Sequence, residues 1–180
     1  MKSKILSVFV LALIFGEPAF TQGIYQEFET SGFSIECDCI LEADRRFAES
    51  LKEQEVENFI SAYQCLSFKE DPDKGTFFSI NVFDESDFVS QFAAQADVFP
   101  FFAEKIYLHR FTEDLSDTDT DFINVFFMDL PALEYKQILD EVTSKSIFFL
   151  LNKKSYLITV ASNTDLDAKF TKFIETFRGL

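Results

Sequence analysis

Tryptophan is absent from this sequence, histidine occurs once, and five glycines, four prolines and three cysteines are spread over 180 residues. Each scarcity excludes something. Without tryptophan there is no indole platform of the kind that stacks sugars in a binding groove. With so few glycines, no phosphate-cradling loop and no nucleophile elbow is present, since both need glycine at fixed spacing. Basic side chains are also scarce, 16 against 31 acidic ones, for a formal charge of −15. Nucleic-acid affinity is drawn from lysines and arginines that displace counterions, so nucleic acid is excluded as an expected partner. The acid excess is first a solubility feature, and second a face suited to basic partners or cations.

Long apolar runs are missing too. Ile5 to Phe15 is the longest, and it ends at Gly16, Glu17 and Pro18, well short of the ~20 residues that cross a bilayer. With Lys2 and Lys4 before it and small residues Ala19 and Thr21 after it, the run reads as a cleavable export signal over residues 1–22. No cysteine follows until Cys37, so a lipid-anchored version of that signal is not expected. The expected mature chain begins near Gly23, has no transmembrane segment, and resides in a periplasm or outside the cell. Residues 1–22 hold two lysines and one glutamate, so the remainder carries 14 basic and 30 acidic side chains and a formal charge of −16.

What is abundant is phenylalanine: 25 in all, with Phe9, Phe15 and Phe20 lying in the signal. The 22 others are ample for the core of one domain spanning residues 23–180, at about 1.5–3 kcal/mol per buried ring. Phe33, Ile35, Cys37 and Cys39 alternate with polar residues as in a half-buried strand, with residues 24–30 as the other arm of a hairpin. Ala43, Phe47 and Leu51 fall four apart and predict an amphipathic helix over 43–55. Asn58 to Phe68 and Thr76 to Phe83 read as strands joined through Asp71-Pro72-Asp73-Lys74-Gly75. A helical stripe follows Ser86, and Pro100 suits the first turn of a second helix running to about Leu115. Four strands come next: Phe122 to Met128, Ala132 to Leu139, Ser146 to Leu151 and Tyr156 to Ala161. The last two are apolar on both faces and are expected at the centre of a sheet. Leu166, Phe170, Phe173, Ile174 and Phe177 form a closing helix, with Asp165 and Asp167 in its first turn and Arg178-Gly179 at its end. The fold class is therefore α+β, a mainly antiparallel sheet flanked by helices.

This order resembles the PsbP-like superfamily. The resemblance is carried by Tyr25 to Ile40, like that family's opening strands, by Pro131-Ala132-Leu133-Glu134-Tyr135 followed by Ser155-Tyr156-Leu157-Ile158-Thr159-Val160, and by Phe170 to Phe177. The chain departs from the pattern after its opening strand, where Cys37-Asp38-Cys39 leads to a helix instead of a proline-bearing turn. The resemblance implies an α/β/α sandwich and a role in binding other proteins or assisting assemblies, as in an extrinsic subunit of photosystem II, a Ran-binding protein and bacterial exported or chaperone-like proteins. It implies no shared catalytic residues.

Candidate chemistry is sparse. In an exported chain the cysteines raise the question of a disulfide: Cys39 or its competitor Cys37 to Cys65, with one thiol left over, against three buried thiols acting as small hydrophobes. Zinc held by these cysteines and His109 is disfavoured, because a structural site needs four placed ligands. His109, between Leu108 and Arg110, reads as a boundary or surface residue. Asp117, Asp119 and Asp121 resemble the start of a calcium loop, but Phe122 and Met128 stand where glycine and a bidentate glutamate are required. No cofactor, metal or catalytic residue is assigned. The expected function is a non-enzymatic binding or assembly-assisting domain whose partner is another exported or envelope protein. A carrier of small hydrophobic ligands or lipids is the alternative, and a hydrolase the third.

Overall fold

The computed structural model describes residues 23–68, 75–96, 98–114, 120–139 and 142–180. The expected signal, residues 1–22, lies outside them, as do Asp71 to Lys74 and the acidic positions Asp117 and Asp119.

Two antiparallel sheets and a set of helices make up the α+β fold. The smaller sheet joins β1 (Ile24–Phe28), β2 (Phe33–Cys37) and β10 (Arg178–Gly179) in the order β1-β2-β10. The larger has seven strands: β3 (Glu42–Ala43), β4 (Phe59–Ser67), β5 (Thr76–Asp84), β6 (Phe122–Phe127), β7 (Leu130–Leu139), β8 (Val142–Leu151) and β9 (Lys154–Ser162). Their order is β3-β4-β5-β9-β8-β7-β6. The two strands expected at the centre are interior: β9 occupies the middle, and in β8 the residues Ser146 to Leu150 are buried on both faces.

One face of the large sheet is sealed by the small sheet and by α5 (Leu166–Glu175). The alternation of β5 explains how: Phe78, Ile80 and Val82 point into this layer while Phe77, Ser79 and Asn81 point away. Phe33 from β2 and Phe170, Phe173 and Phe177 from the C-terminal segment meet Phe149, Tyr156, Ile158 and Val160 across it. The rings interlock. Phe33 stacks on Phe177 at 5.4 Å between centroids, Phe149 on Tyr156 at 5.3 Å, and Phe127 meets Phe149 edge-on at 5.0 Å, each within the 4.5–7 Å range at which aromatic pairs add stability. Tyr156 is wholly buried and its hydroxyl donates to the carbonyl of Ser31 at 2.9 Å, while burial pushes its pKa up to about 12.

The opposite face carries α2 (Ser86–Ser90), α3 (Ala93–Ala96) and α4 (Phe102–Asp114), so three short helices stand where the stripe predicted two. Pro100 lies in the turn before α4 instead of its first turn, because Phe101 takes a left-handed φ of 59° and the helix starts after it. Leu108 packs with Leu133 and Phe148, and Phe111 stacks on Phe148 at 3.9 Å. This second cluster is small. α1 (Arg45–Glu53) is held by Asp44, whose carboxylate accepts the Phe47 amide at 3.1 Å, a standard helix cap.

Two terminal readings need correction. Asp165 is the residue before α5, in a left-handed conformation and without a side-chain cap bond, instead of in the first turn; Asp167 is in the first turn as expected, and hydrogen bonds from Lys136 and Lys145 on the sheet, at 3.0 and 3.1 Å, hold its carboxyl below the usual range. Arg178-Gly179, expected to end the helix, forms β10 and pairs with Phe33 and Ser34. The backbone approaches closely there: a Cβ on Gly179 would sit 2.5 Å from a Leu151 methyl, which would have to move aside.

Candidate functional site

The strongest surface feature is built by β6 and α4. β6 is an edge of the large sheet, and among the described residues no strand pairs with its outer side. From Phe122 to Met128 it carries no charge. Val125 and Phe127 turn into the sealed layer, whereas Ile123 and Phe126 are exposed at 57% and 73%. Natural edges are blunted by shortness, charge, proline or a bulge. β6 has none of these, and its hairpin to β7 turns tightly at Met128-Asp129, both with positive φ (51° and 63°) as the right-handed twist of a two-residue hairpin demands.

Between β6–β7 and α4 runs a groove of about 390 Å³. Phe122, Asn124 and Phe126 form one wall, Leu133 the floor, and Lys105, His109 and Thr112 the other wall. Its chemistry is that of contact. His109 is exposed and faces Glu113 one helical turn on, at 3.4 Å; Thr112 donates its hydroxyl to the His109 carbonyl at 2.7 Å. No nucleophile is in hydrogen-bond reach of His109 among the described residues, which agrees with a surface placement. Asp121 precedes β6 and Asp129 closes its hairpin, so the apolar edge has acidic ends.

A second constellation was not legible in the sequence. Glu85 is buried at 6% exposure, and its Oε1 accepts from Tyr107 at 2.5 Å, Asn58 at 3.0 Å and Ser155 at 3.2 Å. Burial raises its pKa, against the opposing pull of the three donors. Burial and the neighbouring Glu85 also raise Tyr107. A raised carboxyl beside a serine and a tyrosine has the ingredients of acid–base chemistry. Ser155, however, is fully buried and Glu85 nearly so. The arrangement acts as a buried knot that ties α2, α4, β4 and β9 together. The only signal in the sequence was an acid at a strand-to-helix junction, Asp84-Glu85-Ser86, which reads as a cap, but the Glu85 side chain turns inward instead.

The cysteines meet where the two sheets join. Cys39 and Cys65 form a disulfide with Cα atoms 6.0 Å apart, and Cys37 is a buried free thiol. Cys37 Sγ lies 3.5 Å from Cys65 Sγ and 3.7 Å from Cys39 Sγ, and burial pushes its pKa up to about 11. His109 is on α4, across the large sheet, and takes no part in this group. Of the acidic triplet, only Asp121 falls among the described residues, so the calcium-loop geometry lies outside them.

No family model matches the chain, and no curated protein matches it. Among solved structures, the crystal structure of protein of unknown function PA94 from Pseudomonas aeruginosa is similar over 83% of this chain and 86% of that one, at 12% identity and a TM-score of 0.39. So distant a likeness carries no argument about function. No described helix is long and apolar enough to cross a membrane.

Proposed function

We propose that this chain is an exported, non-enzymatic binding domain of the PsbP-like sandwich type, and that it takes up an extended segment of another exported or envelope protein along β6 and the α4 groove. The single observation that carries this reading is the uncharged β6 edge with Ile123 and Phe126 in solvent. An open edge supplies backbone donors and acceptors for one more strand, and side-chain pockets alongside it supply selectivity. The segment that fits alternates apolar residues and carries basic ends, because Asp121 and Asp129 flank the edge and the whole chain is strongly acidic. Export is supported by the pattern of residues 1–22 and by the Cys39–Cys65 disulfide, which persists in oxidising compartments.

The carrier alternative draws less support. The aromatic layer between the sheets is filled by ring contacts, and the depression at its margin beside Cys37 is only about 50 Å³, against the several hundred that enclose a lipid or drug-sized molecule; the α4 groove reaches about 390 Å³ but is open to solvent. The test is the double variant Ile123→Lys/Phe126→Lys, which blunts the edge in the way natural edges are blunted. Quantitative capture from the native exported fraction, set against a charge-matched acidic protein, is expected to yield a partner with the parent chain and to lose it with the variant. Equal capture by both places the partner elsewhere and overturns the site. Co-purified lipid in native mass spectra would return the carrier reading.

A further inference from the structure

We infer that the three cysteines form a redox-gated site for one thiophilic cation of the Cu(I) class: closed while Cys39 and Cys65 are bonded, and open when that bond is reduced. The sulfurs of Cys37, Cys39 and Cys65 all lie within 4.8 Å of one another. Three thiolates around one ion in a trigonal plane, with metal–sulfur bonds of about 2.3 Å, stand about 4.0 Å apart. Cys37 is already within about 0.5 Å of that separation from both others, at 3.5 and 3.7 Å. Only the Cys39–Cys65 pair must part, and Cys39 lies just past the end of β2, in the short stretch before β3, where the chain is free of ladder pairing.

The same distances argue against the plainer alternative, thiol–disulfide exchange. In-line attack would place Cys37 nearer one sulfur of the disulfide than the other by about the S–S bond length, ~2 Å. Cys37 is instead nearly equidistant, astride the bond, in the position of a third ligand. Soft thiolates select soft ions, and three sulfurs with no fourth ligand from the histidine favour a low-coordinate monovalent ion over zinc. A shallow depression lined by Cys37, Phe78, Phe173, Lys169 and Lys172 leads to the group from solvent. Glu36 and Asp38 line it as well, and Lys172 is paired with Asp38 at 3.2 Å, so the lining as a whole is charge-neutral.

The chemistry balances in two steps. A dithiol reductant gives two electrons and two protons to the Cys39–Cys65 bond, yielding two thiols and its own disulfide. One Cu(I) then replaces three thiol protons, forming three Cu–S bonds and releasing three protons to solvent.

The test is a titration of the purified chain under anaerobic conditions, reduced with a phosphine, with Cu(I) offered as its complex with a chromophoric bathocuproine chelator. Reduced protein is expected to withdraw one equivalent per chain, and oxidised protein none. Cys37→Ser keeps the disulfide, so its fold can be checked by melting before reduction; once reduced it is expected to bind more than about 100-fold more weakly, a larger loss than that of a supporting partner. If this variant fails to fold on reduction, X-ray absorption of the reduced parent complex replaces it, with three sulfur neighbours per copper expected. Binding by the oxidised chain, no binding by the reduced chain, parent-like binding by Cys37→Ser, fewer than three sulfurs, or a preference for Zn(II) over Cu(I) in a parallel titration would each overturn the assignment.

Discussion

The two faces of the large sheet are finished very differently. On one, the small sheet and α5 close a continuous layer of rings in which Phe33, Phe149, Tyr156, Phe170 and Phe177 are all fully buried. On the other, α4 covers only part of the surface and β6 leaves Phe126 in water, while Ile123, on the same side of β6 as Val125 and Phe127, is exposed beyond the end of the sealed layer. The sheet's two edges repeat the contrast. At the far edge, β3 has only two residues, and the neighbouring β4 is tied by the Cys39–Cys65 disulfide and packed by the charge-rich helix α1. At the near edge, six uncharged residues run without a partner strand among the described residues. Stability is concentrated in the sealed layer and accessible apolar surface along the β6 edge, so the two properties can be perturbed separately.

The largest effect is expected from Phe177→Ala. Its ring contacts Phe33, Phe127, Phe149 and Tyr156, and truncation is expected to cost about 3–5 kcal/mol in chemical denaturation. Phe126→Ala, the same substitution on the open edge, is expected to change stability by less than about 0.5 kcal/mol. Equal losses would erase the distinction between the faces. Next comes the staple at the far edge: Cys65→Ser is expected to lower stability by about 2–4 kcal/mol under oxidising conditions, and by much less when both proteins are reduced.

Glu85 provides a subtler comparison, within the face covered by α4. Burial raises its folded pKa above the unfolded value. The folded chain therefore holds that proton more tightly, and the stabilisation is complete below the ordinary carboxylate pKa and lost as pH rises through the folded value. Glu85→Gln keeps an oxygen to accept from Tyr107, Asn58 and Ser155 without the charge. It is expected to equal or exceed the parent's melting temperature at neutral pH and to remove this part of the pH dependence. A melting temperature several degrees lower at pH 7–8 that recovers toward pH 4 would show that the ionised carboxylate is what holds the knot. The smallest effect concerns the β6–β7 turn. Met128 and Asp129 both take positive φ, which asparagine and glycine adopt at less cost, so Met128→Asn/Asp129→Gly is expected to stabilise the hairpin by about 0.5–1 kcal/mol. Destabilisation of either sheet edge by this change would mean that the Met128 side chain contributes packing of its own.

Much of the fold was legible because it rests on periodicity. The period of two in Phe33 to Cys37, the apolar run Ser146 to Leu151, and the stripe from Leu166 to Ile174 each dictate an element through burial, although Phe177, expected on the same helix, lies past its end at Glu175. What escaped depends on partners distant in sequence. Arg178-Gly179 carries a helix-stop signal, yet it is claimed by β2, more than 140 residues earlier. The edge position of β6 is a property of strand order, which hydropathy does not encode. Its turn was also silent, since Met128-Asp129 lacks the usual Asn-Gly. Glu85 looked like one acid among thirty-one until folding brought Asn58, Tyr107 and Ser155 around it.

The separation of a sealed face from an open edge is tested most directly by photo-crosslinking in the native exported fraction, with one photoreactive residue replacing Phe126 and, in a second protein, replacing Leu66, which is exposed at 51% on β4 near the blunted edge. A discrete adduct with a second exported or envelope protein is expected from position 126 and not from position 66. Adducts of equal yield at both positions, or none at 126, would contradict the assignment of β6 as the binding edge, and an adduct at 126 made only with a second copy of this chain would replace the proposed partner with self-association.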